Sequence, residues 1–333
     1  MEFLYELGLF FFKALIVLFV IGGIAMIIGI AATKSGHRPD LEVEILNKRW
    51  DNFRRIIQFS ILDKKDLKKL KKQEKEKEKK DPKERVFVLD FKGDVRASQT
   101  EEMAEEINSL LSIARTEDEV VVRLESPGGM VHGYGFAASQ LLRIRDAGIK
   151  LTITVDKVAA SGGYLMACTA NQILAAPFAI IGSIGVVAQI PNFYKVLKKH
   201  DVEVKEYTAG EFKRTVTMFG EIDRAKEEKL HEQLTETHLL FKSFVSRLRP
   251  SLNIEQVATG EHWYGEQAIA MGLVDKIQTS DAYLLEASKK ARVIHLDFHK
   301  KEALTQKLSG FLGHSIEKAV VRLLETLTNT RYF

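Results

Sequence analysis

Residues 120–163 read VVVRLESPGGMVHGYGFAASQLLRIRDAGIKLTITVDKVAASGG, and this stretch decides the fold. It contains a β-branched run at 120–126, an amphipathic stretch at 131–147 and a second apolar run at 151–155. Short apolar strands that alternate with helical stretches are typical of α/β domains with parallel strands. We therefore predict an α/β fold with a largely parallel sheet.

The same alternation continues on both sides of this stretch. Strand-like runs lie at 86–91, 172–176, 182–188 and 202–207, and helical stretches lie at 98–115, 222–248 and, from Ser161 onward, in a run of small residues. Pro250 is expected to end the long helix at 222–248. With 333 residues, 45% of them hydrophobic, the chain can form such a domain and still contain a membrane segment.

A membrane anchor is predicted near the N-terminus. Residues 14–33 carry no charge, and twenty helical residues span about 30 Å, the thickness of a bilayer core. A cleaved signal peptide would have a shorter apolar region after a basic start. Here the start carries Glu2 and Glu6. We therefore assign residues 1–34 to a transmembrane anchor.

Residues 35–85 are predicted to form a juxtamembrane helix, within 41–62, and a charged linker. The net charge of the chain is +4, but twelve Lys or Arg and seven Asp or Glu lie between Asp63 and Arg85, which leaves the rest at about −1. The linker is expected to be solvated, with contact to anionic lipid as the alternative. A nucleic-acid groove would need basic residues spread over a folded face, so no nucleic-acid partner is expected.

Two glycine pairs follow strands and are the candidate chemical features. Ser126-Pro127-Gly128-Gly129 follows the first strand of the opening stretch, and Ser161-Gly162-Gly163 follows the second. Backbone N–H groups in a glycine-rich turn can bind an anion, as the oxyanion of acyl transfer requires. The alternative is structural, since serine is a favoured helix N-cap and Gly-Gly is common in turns.

A nucleophilic serine needs a base, and the residues alone leave three candidates. These are His132, Lys157 and Lys213, because desolvation can keep a lysine amine neutral near pH 7. A single cysteine, Cys168, excludes an internal disulfide and a thiolate zinc cluster, and the nine histidines form no metal motif. We expect neither a metal nor an organic cofactor.

Four segments together resemble the signal peptide peptidase A/SohB family of serine peptidases. They are DKVAASGGYLMAC (156–168), GSIGVV (182–187), AGEFKRT (209–215) and TGEHWYGEQAIAMGLVDKI (259–277). The resemblance covers 86–290, which we therefore assign to a catalytic peptidase domain. An N-terminal anchor followed by a charged tether is similar to the SohB branch of that family. The resemblance implies a spiral of βα units of the ClpP/crotonase kind.

The resemblance also implies a Ser–Lys dyad. The family nucleophile falls on Ser161 and its general base on Lys213, while Ser183 matches the serine that orients the lysine. Gly129 and Gly162 match the oxyanion-hole donors. The pattern departs at 262–264, His-Trp-Tyr, which bears on substrate preference.

The implied activity is that of a membrane-bound endopeptidase on signal-peptide remnants or misfolded membrane-near chains, assembled as a homo-oligomeric ring in which neighbouring subunits can share the dyad. Residues 291–333 would then contain a docking or oligomer-contact helix, because 301–327 has apolar residues at helical spacing. The alternatives are a non-catalytic membrane scaffold and a crotonase-like acyl-CoA enzyme.

The membrane is expected to be the inner membrane, crossed once. Six Lys or Arg follow the span closely and only Lys13 precedes it, which would retain the C-terminal part in the cytoplasm. The family works outside the inner membrane, and long translocated domains override charge counts. We therefore expect the catalytic domain on the periplasmic side.

Overall fold

The computed structural model describes residues 41–63, 65–67, 84–210 and 212–299, together with Leu18. One compact unit spans 41–300 and contains all of these except Leu18. The predicted anchor at 14–33 and the predicted C-terminal helix at 301–327 lie outside the described residues, as does most of the charged linker. Among the helices that the structure does describe, none has the length and apolar character needed to cross a bilayer.

A seven-stranded sheet forms the centre of the unit. Its strands are β1 (Leu41–Ile45), β2 (Glu84–Lys92), β3 (Glu119–Glu125), β4 (Lys150–Val155), β6 (Gln172–Ala175), β9 (Lys276–Ile277) and β10 (Ala291–Phe298), with β5 (Val158–Ala160), β7 (Ile180–Gly182) and β8 (His262–Tyr264) forming a second, smaller sheet. The order in the large sheet is β1-β10-β2-β3-β4-β6-β9, and every neighbouring pair is parallel except β1 with β10. The predicted α/β fold with a largely parallel sheet is confirmed.

Helices cover both faces of the large sheet. They are α1 (Leu46–Ile61), α2 (Thr100–Leu111), α3 (Val131–Asp146), α4 (Gly162–Ala167), α5 (Tyr194–Lys199), α6 (Arg224–Leu248), α7 (Ile254–Val257), α8 (Gly265–Ala270) and α9 (Ser280–Ala287). Strand β2 shows the consequence, because Phe87 and Leu89 enter the main core while Val86 and Val88 enter a smaller core with Leu46 of α1. Burial on both faces explains the near-continuous apolar strands.

The small sheet places three strand ends side by side. β5 pairs in parallel with β7, with Ala160 opposite Gly182, and β7 pairs antiparallel with β8. An isolated parallel bridge joins Ser126, the residue after β3, to Ala159 in β5. The large and small sheets therefore meet where the two predicted glycine pairs leave their strands.

Three local predictions differ from the structure. Residues 41–45 were predicted as helix but form β1, whose partner β10 lies some 250 residues later and leaves no local signal. The strand predicted at 182–188 ends at Gly182, because Gly182 and Ser183 both have positive φ. Residues 202–207 form no strand among the described residues and are exposed, since their alternating pattern finds no sheet edge to pair with.

The compact unit is also wider than the predicted catalytic domain. The predicted bounds of 86–290 stay a prediction, but the sheet takes β1 and β10 from outside them, and the first residues of β2 are Glu84 and Arg85. These outer strands extend the sheet on the side away from the glycine pairs.

Cys168 follows α4 and is fully buried. Its thiol donates a hydrogen bond to the carbonyl of Leu165 at 3.2 Å. Burial raises the pKa of this thiol to about 12, since a thiolate would lose its hydration there. Cys168 is therefore a residue of the core.

A buried carboxyl group joins α2 to the end of β10. Glu106 Oε1 accepts a hydrogen bond from the N–H of Phe298 at 2.9 Å, and Oε2 has no partner among the described residues. Burial raises the pKa of Glu106 to about 8, and the negative charges of Asp297 and Asp90 add to the rise. The carboxyl is therefore protonated at neutral pH.

Stability should consequently fall as the pH rises through this region. The folded-state pKa of Glu106 lies above its unfolded value of 4.5, so the stabilisation is complete below that value and is lost on approaching about pH 8. At about 1.4 kcal/mol per pKa unit, the loss between pH 5 and 8 is on the order of 3 kcal/mol. Chemical denaturation of the full chain in detergent, followed by tryptophan fluorescence, measures it.

Glu106→Gln should remove most of that pH dependence, because the amide stays neutral and fits the same space. Glu105→Gln, an exposed neighbour on the same helix, is the matched control and should leave the slope unchanged. Equal slopes in the two variants would contradict the assignment.

Candidate active site

Two hydrogen bonds hold the Ser126 loop against the strand that leads to Ser161. The N–H of Ser126 donates to the carbonyl of Val158 at 2.8 Å, and the N–H of Ala160 donates to the carbonyl of Ser126 at 3.0 Å. Since β3 and β5 end at this point, the two glycine pairs lie at the same edge, as expected for the carboxyl ends of parallel strands.

Gly128 packs closely against the second glycine pair. It has a φ of +89°, and a Cβ atom there would lie 2.7 Å from the Gly162 nitrogen, the Ser161 Cβ and the Ala160 oxygen. Real Cβ contacts are never this short, and a positive φ strains any other residue. Glycine at 128 is required by both the backbone conformation and the space.

Ser161 occupies a strained turn between β5 and α4. Its φ is +52° and its ψ is −118°, a conformation that costs a non-glycine residue about 1–3 kcal/mol. A sharp strand-to-helix turn of this kind is the device by which α/β hydrolases present a nucleophile. Ser161 is the N-cap residue of α4 by position, but its hydroxyl makes no capping hydrogen bond to the helix.

Ser183 occupies a second turn with positive φ, directly after β7. The N–H of Ser161 donates to the carbonyl of Gly182 at 2.8 Å, and Ser183 follows directly with a φ of +52°. The N–H of Ser183 donates to the carbonyl of Glu261 at 2.7 Å. The strand pairing of β5 with β7 thus brings the two predicted serines together.

Two backbone donors at this edge are unused. Within the described part of the chain, the N–H groups of Gly129 and Gly162 have no hydrogen-bond acceptor. Both neighbours of Gly129 are bonded, since the N–H of Gly128 donates to Ser126 Oγ at 3.1 Å and the N–H of Met130 donates to the carbonyl of Val95 at 2.8 Å. Free backbone N–H groups of this kind suit a developing oxyanion.

A buried network lies beneath the Ser126 loop, and the sequence analysis missed it. Ser126 Oγ lies 2.6 Å from the Tyr134 hydroxyl, which donates to the carbonyl of Asp94 at 2.7 Å. Burial raises the pKa of Tyr134, so this hydroxyl stays protonated. The one sign of this network in the sequence is a tyrosine on the apolar face of the helix that follows the loop.

The structure does not join Lys213 to this cluster. Lys213 is exposed, and its amine makes no hydrogen bond or ion pair with any residue that the structure describes. Lys157 forms an ion pair with Glu125 instead, with Nζ 2.9 Å from Oε2. His132 is exposed at the start of α3. The role of Lys213 stays a prediction.

The 262–264 segment, where the pattern departs, is strand β8. Trp263 pairs with Ile181, and its ring lies over Gly182, where a Cβ atom would be only 2.9 Å from the ring. The segment whose sequence differs from the family pattern therefore packs directly against the turn that carries Ser183. No group of residues suited to a metal ion occurs in the regions that the structure describes.

Two adjoining family models match this chain. The model described as peptidase family S49 N-terminal matches residues 2–141, and the model described as peptidase family S49 matches residues 143–294. Together they cover residues 41–294 of the described unit apart from residue 142, and they include every predicted site residue.

Curated relatives agree with these matches. The chain is 56% identical over 239 residues to a protein named probable protease SohB from Haemophilus influenzae, covering 72% of this chain and 67% of that one. It is 45% identical over 303 residues to a probable protease SohB from Buchnera aphidicola subsp. Schlechtendalia chinensis, covering 86% and 99%. A solved structure of a membrane-bound stomatin-specific protease aligns with this chain at a TM-score of 0.41 and 16% identity. The alignment covers 61% of this chain and 84% of that one.

The close approach at Gly128 generates a prediction about stability. Gly128→Ala should lower the free energy of unfolding by about 2–4 kcal/mol, because the methyl group overlaps the neighbouring turn and the backbone is strained. The control is Gly135→Ala on α3, where a Cβ atom meets nothing within 4 Å. That change should stabilise by up to about 1 kcal/mol through helix propensity. Similar losses in both variants, measured by thermal denaturation, would contradict the packing.

Proposed function

Because the chain belongs to peptidase family S49, we propose that it is a membrane-bound serine endopeptidase with Ser161 as nucleophile and Lys213 as general base. The peptidase assignment rests on the family matches and on 45–56% identity to proteases of the SohB type. The Ser–Lys dyad, the membrane anchor and the substrates are not given by these matches and are part of the proposal.

The observation that carries the proposal is the conformation of Ser161. A serine held at positive φ, with its hydroxyl uncommitted to the helix and unbonded N–H groups next to it, is strained for no structural gain. Strain of this kind persists where the surroundings impose it, and it concentrates at functional sites. The adjacent Gly129 and Gly162 would supply the oxyanion hole.

The proposed reaction has two halves. The neutral amine of Lys213 takes the proton of the Ser161 hydroxyl, and the oxygen attacks the peptide carbonyl carbon. The carbonyl oxygen becomes an oxyanion that accepts hydrogen bonds from the N–H groups of Gly129 and Gly162. The amine of the scissile bond leaves with the proton from Lys213, and water, deprotonated by the same lysine, releases the acid and restores Ser161.

A lysine serves as base only when its amine is held out of water, and one subunit leaves Lys213 exposed. We therefore propose that a homo-oligomeric ring completes the site, with Ser183 orienting the amine. The segment around Lys213 supports this, since large apolar side chains are exposed there, with Tyr207 89% and Phe212 43% exposed. Soluble proteins rarely leave such groups uncovered over a broad surface.

We further propose a ClpP/crotonase-like spiral for the catalytic domain and a single span at 14–33 in the inner membrane, with the domain on the periplasmic side. The uncharged length of 14–33 supports the span. Substrates would be signal-peptide remnants or misfolded chains near the membrane, cut after small or apolar residues. Neither the scaffold nor the acyl-CoA alternative gains support from any observation above.

Single substitutions in the dyad test the mechanism. Ser161→Ala and Lys213→Ala should each reduce peptide hydrolysis by at least about 10³-fold, since nucleophile and base act as a unit. Lys157→Ala removes only an exposed ion pair with Glu125 and should stay within about twofold of the unchanged protein. Hydrolysis of a fluorogenic peptide and labelling of Ser161 by a fluorophosphonate probe are the measurements. Full turnover by Ser161→Ala would refute the assignment.

Mixing the two inactive variants tests the shared site separately. If one subunit supplies Ser161 and its neighbour Lys213, co-assembly of Ser161→Ala with Lys213→Ala should restore a measurable fraction of the activity. Absence of any recovery, with mixed oligomers demonstrated by differently tagged subunits, would place both groups in one subunit.

Membrane insertion is tested with the full chain. Replacing Ile24 and Ile27 with arginine should release the protein from alkali-washed membranes, because each charge costs about 2.5–3.5 kcal/mol at the centre of a span. Lys34→Ala is the control and should stay in the membrane. Proteolysis in spheroplasts gives the side, and a catalytic domain that resists external protease in intact spheroplasts would contradict the periplasmic assignment.

A further inference from the structure

We propose that Tyr134 and Ser126 are positioning residues that hold the Gly128–Gly129 backbone in the conformation of an oxyanion hole. The inference rests on the proposed function. It adds two side chains that support the proposed site without touching the substrate. It starts from the buried network beneath the Ser126 loop.

The direction of each hydrogen bond in this network is fixed. The carbonyl of Asp94 can only accept, so the single proton of the Tyr134 hydroxyl is donated to it at 2.7 Å. Ser126 Oγ, 2.6 Å from the same hydroxyl, must then donate its own proton to Tyr134. This leaves Ser126 Oγ as the acceptor for the N–H of Gly128 at 3.1 Å. The chain of donors runs from Gly128 through Ser126 and Tyr134 to Asp94.

The network determines which N–H group remains free. Gly128 is bonded through Ser126, and Met130 is bonded to Val95, so the intervening Gly129 is held between two fixed peptide groups. Gly128 packs so closely against the Ser161 turn that a Cβ atom on it would lie 2.7 Å from the Ser161 Cβ and the Gly162 nitrogen, which sets its orientation relative to the nucleophile. The free N–H of Gly129 is the result.

Both hydroxyl groups of this network are closed off from solvent. Ser126 and Tyr134 are both fully buried, and a Cβ atom on Gly93 would overlap both of their oxygens. Loss of the tyrosine hydroxyl would leave the Ser126 proton without its acceptor, and the hydroxyl would turn away from Gly128 to find another. Because Gly129 follows Gly128 directly, a displacement of Gly128 would also move the N–H group of Gly129.

The experiment compares two buried tyrosines in the full chain. Tyr134→Phe keeps the ring that packs on Gly162 and removes only the hydroxyl. Tyr164→Phe is the matched control, since Tyr164 is equally buried and its hydroxyl donates to the carbonyl of Leu273 at 3.0 Å, away from the glycine pairs. Tyr134→Phe loses two buried hydrogen bonds and Tyr164→Phe loses one, so Tm should fall in both variants and somewhat further in Tyr134→Phe.

Only Tyr134→Phe should lower kcat, by about 10- to 100-fold, with KM within about twofold. A complete oxyanion donor is worth about 10²–10³-fold, and a displaced donor is worth less. Affinity for a peptide aldehyde, which forms a tetrahedral adduct, should fall by a similar factor, whereas affinity for an uncleavable peptide should not. Ser126→Ala should behave in the same way, because it removes the acceptor for Gly128.

Equal kcat values for Tyr134→Phe and Tyr164→Phe would overturn the inference, as would a parallel loss of affinity for the aldehyde and the uncleavable peptide. Failure of the proposed function is distinguishable, because the unchanged protein would then hydrolyse no peptide. Hydrogen exchange of a peptide covering 127–133 still decides in that case. Exchange should be faster in Tyr134→Phe than in Tyr164→Phe, and equal rates would reject the network as a positioning device.

Discussion

The pairing of Ser126 with the strand that precedes Ser161 is the interaction on which the site depends. Its two hydrogen bonds join a loop at the end of β3 to the small sheet that begins after β4, so both glycine pairs share one frame. Without this pairing, the turn at Ser161 and the loop at Gly128 would be fixed by separate elements. Catalytic donors must be placed to a fraction of an ångström, which independent loops rarely achieve.

Tight packing follows from this pairing. Gly128 fits against the Ser161 turn only without a side chain, and Gly162 leaves room for the Tyr134 ring. The strain at Ser161 is sustained because its N–H is bonded to Gly182 and its carbonyl accepts from Leu165 at 3.0 Å. Fixed neighbours on both sides allow a conformation that an isolated turn would not keep.

Prediction from sequence worked best where the signal is local and periodic. The strands at 86–91 and 151–155 and the long helix at 222–248 needed only apolar spacing and a proline. It failed at 41–45 and 202–207, where strand formation depends on a distant or missing partner. The sequence placed each glycine pair after a strand. The close packing of the two pairs against each other was visible only in the structure.

The candidate site shows the same division. Ser161 was identified by the family resemblance, because its Ser-Gly-Gly turn alone left a structural alternative open, whereas Ser126 and Tyr134 are joined by a buried contact across eight residues. Lys213 lies on an exposed, irregular stretch of a single chain. Its environment would be set by a neighbouring subunit, so neither its spacing from Ser161 nor one subunit's packing defines it.

The burial of Cys168 has a practical consequence for handling the protein. Its thiol is the chain's one native sulfhydryl, and its pKa of about 12 keeps it protonated and unreactive toward maleimides and oxidants in either compartment. Any cysteine introduced on the surface would therefore be the single reactive thiol. Spin labels, fluorophores or crosslinkers can be attached at chosen positions without first removing a native residue.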